Sequence, residues 1–86
     1  MNPGQIVFAK CGRDKGRLMV VLAVAEGYAY LADGRLRLIK KPKRKKLKHI
    51  QLTNTIVNLT PSCGRTLQDA DIRKLLTNYY MSNKIM

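Results

Sequence analysis

Cations dominate the groups in this 86-residue chain that could do chemistry, and they are clustered. Seventeen Lys and Arg stand against five Asp and Glu, a net charge of +12. Nine of the seventeen, Arg35, Arg37, Lys40, Lys41, Lys43, Arg44, Lys45, Lys46 and Lys48, lie within residues 35–49 with no acid among them. The other eight cations face all five acids, leaving +3 for the rest of the chain. Such a cluster repels itself in isolation. Set against a phosphate backbone, it releases condensed counterions and gains affinity as salt falls. A second basic element, Lys10, Arg13, Lys15 and Arg17, surrounds Gly12 and Gly16. Glycines there let a loop approach a nucleic-acid backbone closely and offer amides to phosphate. The loop lacks the Gly-Lys-Ser/Thr ending of a nucleotide-triphosphate loop.

Other chemistries find little support. His49 is the single histidine and ends the basic run, where it reads as a phosphate neighbour or a surface residue and not as a catalyst. Cys11 and Cys63 form no CxxC pair, and with one histidine they cannot complete a four-ligand zinc set. No metal, no cofactor and no enzymatic constellation is expected. Asp69 and Asp71 lie two apart, so they cannot meet on one helical face as an acid/base pair. A Cys11–Cys63 disulfide is conceivable. The N-terminus carries no basic segment followed by an apolar one, so two reduced cysteines in a cytoplasmic protein are expected. The longest apolar run, residues 18–25, is far short of the ~20 residues that span a bilayer.

The elements that must position these groups are mostly strands. Ile6-Val7-Phe8-Ala9 is a short apolar run with Phe8 expected in the core. Leu18-Met19-Val20-Val21-Leu22-Ala23-Val24 is long and β-branched, as a central strand covered on both faces would be. Glu26-Gly27 supplies a turn, Tyr28-Ala29-Tyr30-Leu31-Ala32 a third strand, and Asp33-Gly34 the strongest hairpin signal. Arg35-Leu36-Arg37-Leu38-Ile39-Lys40 alternates charged and apolar, which predicts a half-buried strand with its cations outward. Pro42 interrupts the basic run, so residues 40–48 are expected as an extended arm or loop. His49-Ile50-Gln51-Leu52 is a fifth strand candidate. Short strands with tight turns predict a small closed barrel or sandwich over residues 1–60.

Residues 61–86 read as a connector, Pro61-Ser62-Cys63-Gly64, then one helix packed on the same single domain. Thr66 is the expected N-cap, with Asp69 and Asp71 near the positive end of the dipole. Ile72, Leu75, Leu76, Tyr79 and Tyr80 form one apolar face, and fraying is expected from Met81. Tyr28 and Tyr30 share a strand face and are candidates for stacking on bases.

Taken together, Gly4-Gln5-Ile6-Val7-Phe8-Ala9-Lys10, Gly12-Arg13-Asp14-Lys15-Gly16-Arg17 and Val20-Val21-Leu22 resemble the strand, glycine loop and strand of a KOW motif. A common KOW glycine three residues beyond the Lys-Gly pair would fall at Met19. That departure is similar to one branch, ribosomal protein fourteen of the archaeal and eukaryotic large subunit and its small bacterial relatives. Leu31-Ala32-Asp33-Gly34 and Gln51-Leu52-Thr53-Asn54 add to the likeness, which covers about residues 4–54. The resemblance implies a mainly β fold, a five-stranded SH3-like barrel, here followed by a C-terminal helix. It also implies binding to RNA, usually ribosomal RNA, with residues 12–17 in contact. A structural ribosomal component and a ribosome-associated or assembly factor both fit.

The sequence therefore predicts a non-catalytic RNA-binding protein, monomeric when free. Arg35, Arg37 and the 40–48 arm (Lys40, Lys41, Lys43, Arg44, Lys45, Lys46, Lys48) with His49 would grip one stretch of backbone. Arg13, Lys15 and Arg17 would contact a second. The alternatives are a protein-interaction module working through the helix or the Tyr28/Tyr30 face, and DNA binding through the same charge. Membrane-surface binding finds few apolar residues to insert beyond Leu47.

Overall fold

A computed structural model of the chain describes residues 1–60 and 66–83. Among these residues five strands, β1 (Gln5–Ala9), β2 (Leu18–Ala25), β3 (Tyr28–Ala32), β4 (Lys43–Lys46) and β5 (Ile50–Ile56), precede one helix, α1 (Asp69–Asn83). All pair antiparallel in the order β4-β3-β2-β1-β5. The fold is thus mainly β with a C-terminal helix, and it fits a small SH3-like barrel. The two edge strands are not hydrogen-bonded to each other, so the cylinder is left open. A single 3-10 turn, Leu47–His49, makes the corner between β4 and β5.

The unbroken apolar character of β1 and of β2 as far as Leu22 has a direct cause, because they are covered on both faces, whereas Ala23 and Ala25 at the far end of β2 are exposed. One face encloses Val7, Ala9, Met19, Val21, Ala29, Leu31 and Ile50. The other puts Ile6 and Val20 under Ile72 and Leu76 of α1. Phe8 is the exception: with Val7 and Ala9 pointing inward, strand alternation leaves it on the outer face, outside both clusters and only partly buried. Where β1 shifts register against β5, the buried Gln5 amide donates to the Thr53 carbonyl at 2.7 Å and the Thr55 carbonyl at 3.2 Å. A side chain thereby satisfies carbonyls that the irregular ladder leaves without their regular partners. The β2–β3 turn is Glu26-Gly27, both with positive φ (52° and 81°), as the tightest hairpin turns require.

Residues 35–40 are not a strand. The Asp33 carboxylate accepts from the Arg35 and Arg37 amides, each at 2.9 Å, and the Arg37 carbonyl accepts from the Asp33 amide at 2.9 Å. This knot takes up the backbone groups that a ladder would need. Leu36 and Leu38 are consequently exposed, and Ile39 alone of that run packs toward the helix. The partner of β3 comes later: the segment expected as a free arm forms β4, with Lys43, Arg44, Lys45 and Lys46 opposite Leu31, Tyr30, Ala29 and Tyr28. A strand made wholly of cations suits a sheet edge, since its charges resist pairing with another chain.

The helix begins three residues after the expected cap. Thr66 lies outside it; the amide of Gln68 donates to Asp71 Oδ2 at 2.9 Å, the return half of a capping box. Asp69 does not cap. Its Oδ1 accepts from the Ile39 amide at 2.8 Å and ties the helix start to the 33–42 loop. Ile72 and Leu76 are buried, whereas Tyr80 is 60% exposed because it sits at the margin of the stripe that meets the sheet. The helix runs through Met81 to Asn83, past the expected fraying point. The 61–64 connector and Cys63 lie outside the described residues; Cys11 is a free thiol.

Candidate nucleic-acid interface

Two carboxylates inside the basic region organise it. Asp14, 3% exposed, accepts a forked pair from Arg37: Nη2 to Oδ2 at 2.8 Å and Nε to Oδ1 at 3.3 Å. Arg17 joins the same carboxylate, its Nε 3.4 Å from Asp14 Oδ1, while its Nη1 donates to Asp33 Oδ2 at 3.3 Å. Burial alone would push the Asp14 carboxyl up. The Arg37 hydrogen bond and the charges of Arg37, Arg17 and Lys43 outweigh it and hold the group below its ordinary range.

Lys45 supplies a second tie. It projects inward beside Ala29, is buried, and donates from Nζ to the Cys11 carbonyl at 3.0 Å. These contacts draw three basic segments together: the 10–17 loop, the 33–42 loop and β4. Read from the sequence they are two separate elements; folded, they share one set of anchors. The Lys10 amide also donates to the His49 carbonyl at 2.8 Å, which brings Lys10 alongside the end of the basic run.

The structure divides the candidate residues by role. Arg17, Arg37 and Lys45 are committed to internal contacts, so they position the surface instead of presenting charge from it. Arg13, Lys15, Arg35, Lys40, Lys41, Arg44, Lys46 and Lys48 are exposed, and Lys43 and His49 are partly buried. Tyr28 and Tyr30 lie partly buried on the outer face of β3, with the Arg44 guanidinium 4.6 Å from the Tyr28 ring centroid. Asp14 and Asp33 are functional residues outside the set that the sequence singles out. The signal was present, since a lone acid in a basic stretch that folds inward must meet a cation.

No family model matches this chain, and no curated protein matches it at a significant level. Among the described residues no group of His, Cys, Asp and Glu could hold a metal ion. Among the described residues no helix is long and apolar enough to cross a membrane.

The division of roles has a simple check. Lys45→Met keeps the inward stem and removes the ammonium. It should cost about 1.5–3 kcal/mol of stability in a denaturant melt, the order of one lost charge-assisted hydrogen bond. It should leave the salt dependence of any RNA binding unchanged. Lys46→Met should do the reverse: unchanged stability and a shallower salt slope.

Proposed function

We propose that this chain is a non-catalytic RNA-binding protein that holds the phosphate backbone on the surface formed by the 10–17 loop, the 33–42 loop, β4 and the turn after it. The observation that carries this reading is the pair of internal ties, Asp14–Arg37 and Lys45–Cys11, which gather three basic segments and leave eight of their cations exposed. A merely solvated basic loop needs no buried carboxylate at its root. Guanidinium groups at Arg13, Arg35 and Arg44 suit forked contacts to phosphate oxygens, and the lysines act as point charges. Contacts of this kind position a protein on folded RNA without reading its sequence.

The likeness of residues 4–54 to a KOW domain supports ribosomal RNA as the ligand, and with it a cytoplasmic, ribosome-associated role. The loop that such a motif presents to RNA corresponds to the β1–β2 connection, where Arg13 and Lys15 are exposed.

Each phosphate released from contact should lower the slope of log K against log salt by roughly 0.7–0.9. Replacing Arg13, Lys15, Lys46 and Lys48 together by Gln should therefore flatten the slope by about 3 and weaken binding at low salt. An unchanged slope would sink the assignment of this surface. Sedimentation of the native protein with large ribosomal subunits at low salt, and its release at high salt, would place the RNA on the ribosome. Preferential competition by duplex DNA would overturn the choice of RNA.

A further inference from the structure

The outer face of the sheet beside the helix has a composition that phosphate binding does not explain. Strand register sets Tyr28 between Ala25 and Lys46, and Tyr30 between Ala23 and Arg44. Both alanines and both cations are exposed. Two methyl side chains on one flank leave the tyrosine rings unscreened from that side. On the other flank Arg44 leans diagonally over Tyr28, its guanidinium carbon 4.6 Å from the ring centroid, while the side chain of its direct partner Tyr30 has no ring contact or hydrogen bond among the described residues. An apolar patch of tyrosine and alanine rimmed by two cations favours a ligand that carries flat π faces on an anionic chain.

We infer that this face is a stacking platform for unpaired nucleotides, so that the RNA held by this protein includes a single-stranded or looped-out segment crossing β3. The inference rests on the RNA-binding reading above and deepens it by naming the ligand's local state. Spacing supports it. Residues two apart on a strand are separated by about 7 Å, twice the ~3.4 Å between stacked bases of a helix. Each ring therefore takes its own base from an opened strand, and a continuous duplex cannot offer successive bases at that interval. The Arg44 plane extends the Tyr28 stack, since guanidinium groups pack on aromatic and base faces alike. Strand β4 joins the platform to the phosphate-binding surface: Arg44 and Lys46 point outward beside the rings, and Lys45 points inward to hold the 10–17 loop.

The test compares two probes, a uridine oligonucleotide of about ten nucleotides and a fully paired RNA duplex of the same length, over a salt series. The proteins are the full chain, Tyr28→Leu, Tyr30→Leu, the double variant, and Tyr30→Phe. Each Leu substitution should weaken oligonucleotide binding about tenfold or more, and the pair about a hundredfold. Duplex binding and both salt slopes should stay as in the full chain. Tyr30→Phe keeps the ring and should keep affinity, which separates stacking from loss of a hydroxyl or of fold. Oligonucleotide binding should also quench tyrosine emission, and less so in the double variant. An equal loss on both probes, or no loss on either, would overturn the platform while leaving phosphate binding intact. Failure of the unsubstituted chain to bind either probe would instead remove the RNA reading, and this inference with it.

Discussion

Asp14→Asn should lower the midpoint of thermal unfolding by about 10–20 °C and weaken RNA binding, although it makes the chain one unit more positive than +12. Removing one partner of a buried ion pair costs roughly 3–5 kcal/mol when both groups are enclosed. Here the arginine side chains are 35% and 29% exposed, so water screens part of the loss and about 2–3 kcal/mol is expected. An amide keeps the shape of the carboxylate but not its two accepting oxygens. Arg37 then loses its forked partner, and with it the 33–42 loop loses its hold on the 10–17 loop. A reading on charge alone expects tighter RNA binding from this substitution. A reading on anchored geometry expects weaker binding, because the basic segments must then be ordered at the expense of affinity. Titration of the variant and the parent at one salt concentration separates the two.

The same carboxylate sets an acid limit. Its value in the fold lies below the ordinary 3.8, so its contribution is fully present above that value and is lost as pH falls through the lower, folded one. Stability measured from pH 6 downward should therefore fall more steeply below about pH 4 in the parent than in Asp14→Asn. Parallel profiles would show that the Asp14 pair carries no linked stability.

Much of the framework could be read from the residue order, and the failures share one origin. The Glu26-Gly27 turn, the central place of β2 with its first half covered on both faces, the mainly β architecture and the C-terminal helix all follow from local patterns: positive φ, apolar runs, a change from period two to period 3.6. What local pattern could not give was the fate of residues 33–48. Alternation of Arg35, Leu36, Arg37 and Leu38 is the pattern of a strand, but Asp33 captures the amides of Arg35 and Arg37. Four consecutive cations look like a solvated arm, but the edge of β3 was open and β4 fills it. In both places a contact between distant or competing backbone groups overrode the period. The same holds for the site: charge counting located the basic surface, while the sorting of Arg17, Arg37 and Lys45 from their exposed neighbours depends on Asp14, Asp33 and Cys11 meeting them in space.

The tightest coupling between that rearranged loop and the helix runs through Gly34, and it yields the second large effect. Gly34 has φ +76°, and an added Cβ would collide with the Asp69 carbonyl oxygen while standing 2.8 Å from Arg73 Cγ and 3.2 Å from its amide nitrogen. The first turn of α1 sits directly on this residue, held there by Arg73 Nη1 donating to the Gly34 carbonyl at 2.6 Å. Gly34→Ala must therefore shift the helix as well as strain the backbone. The strain alone costs about 1–2 kcal/mol. Displacing the helix adds the partial loss of Ile72 and Leu76 from their seat over Ile6 and Val20, worth about 1.5–3 kcal/mol for each fully buried side chain. A loss of at least about 3 kcal/mol is expected, with amide exchange across residues 69–83 accelerating ahead of exchange in β1 and β2. Gly16→Ala is the matched control: its φ is +81° and nothing stands within 4 Å of an added Cβ, so it should show the backbone strain alone. Equal losses at the two glycines would mean that helix docking over Gly34 contributes nothing. A larger loss at Gly34, confined first to the helix, would mean that the loop carrying Arg35 and Arg37 and the helix above it are held as one unit. The positions of those basic side chains would then depend on a helix that does not itself form the basic surface.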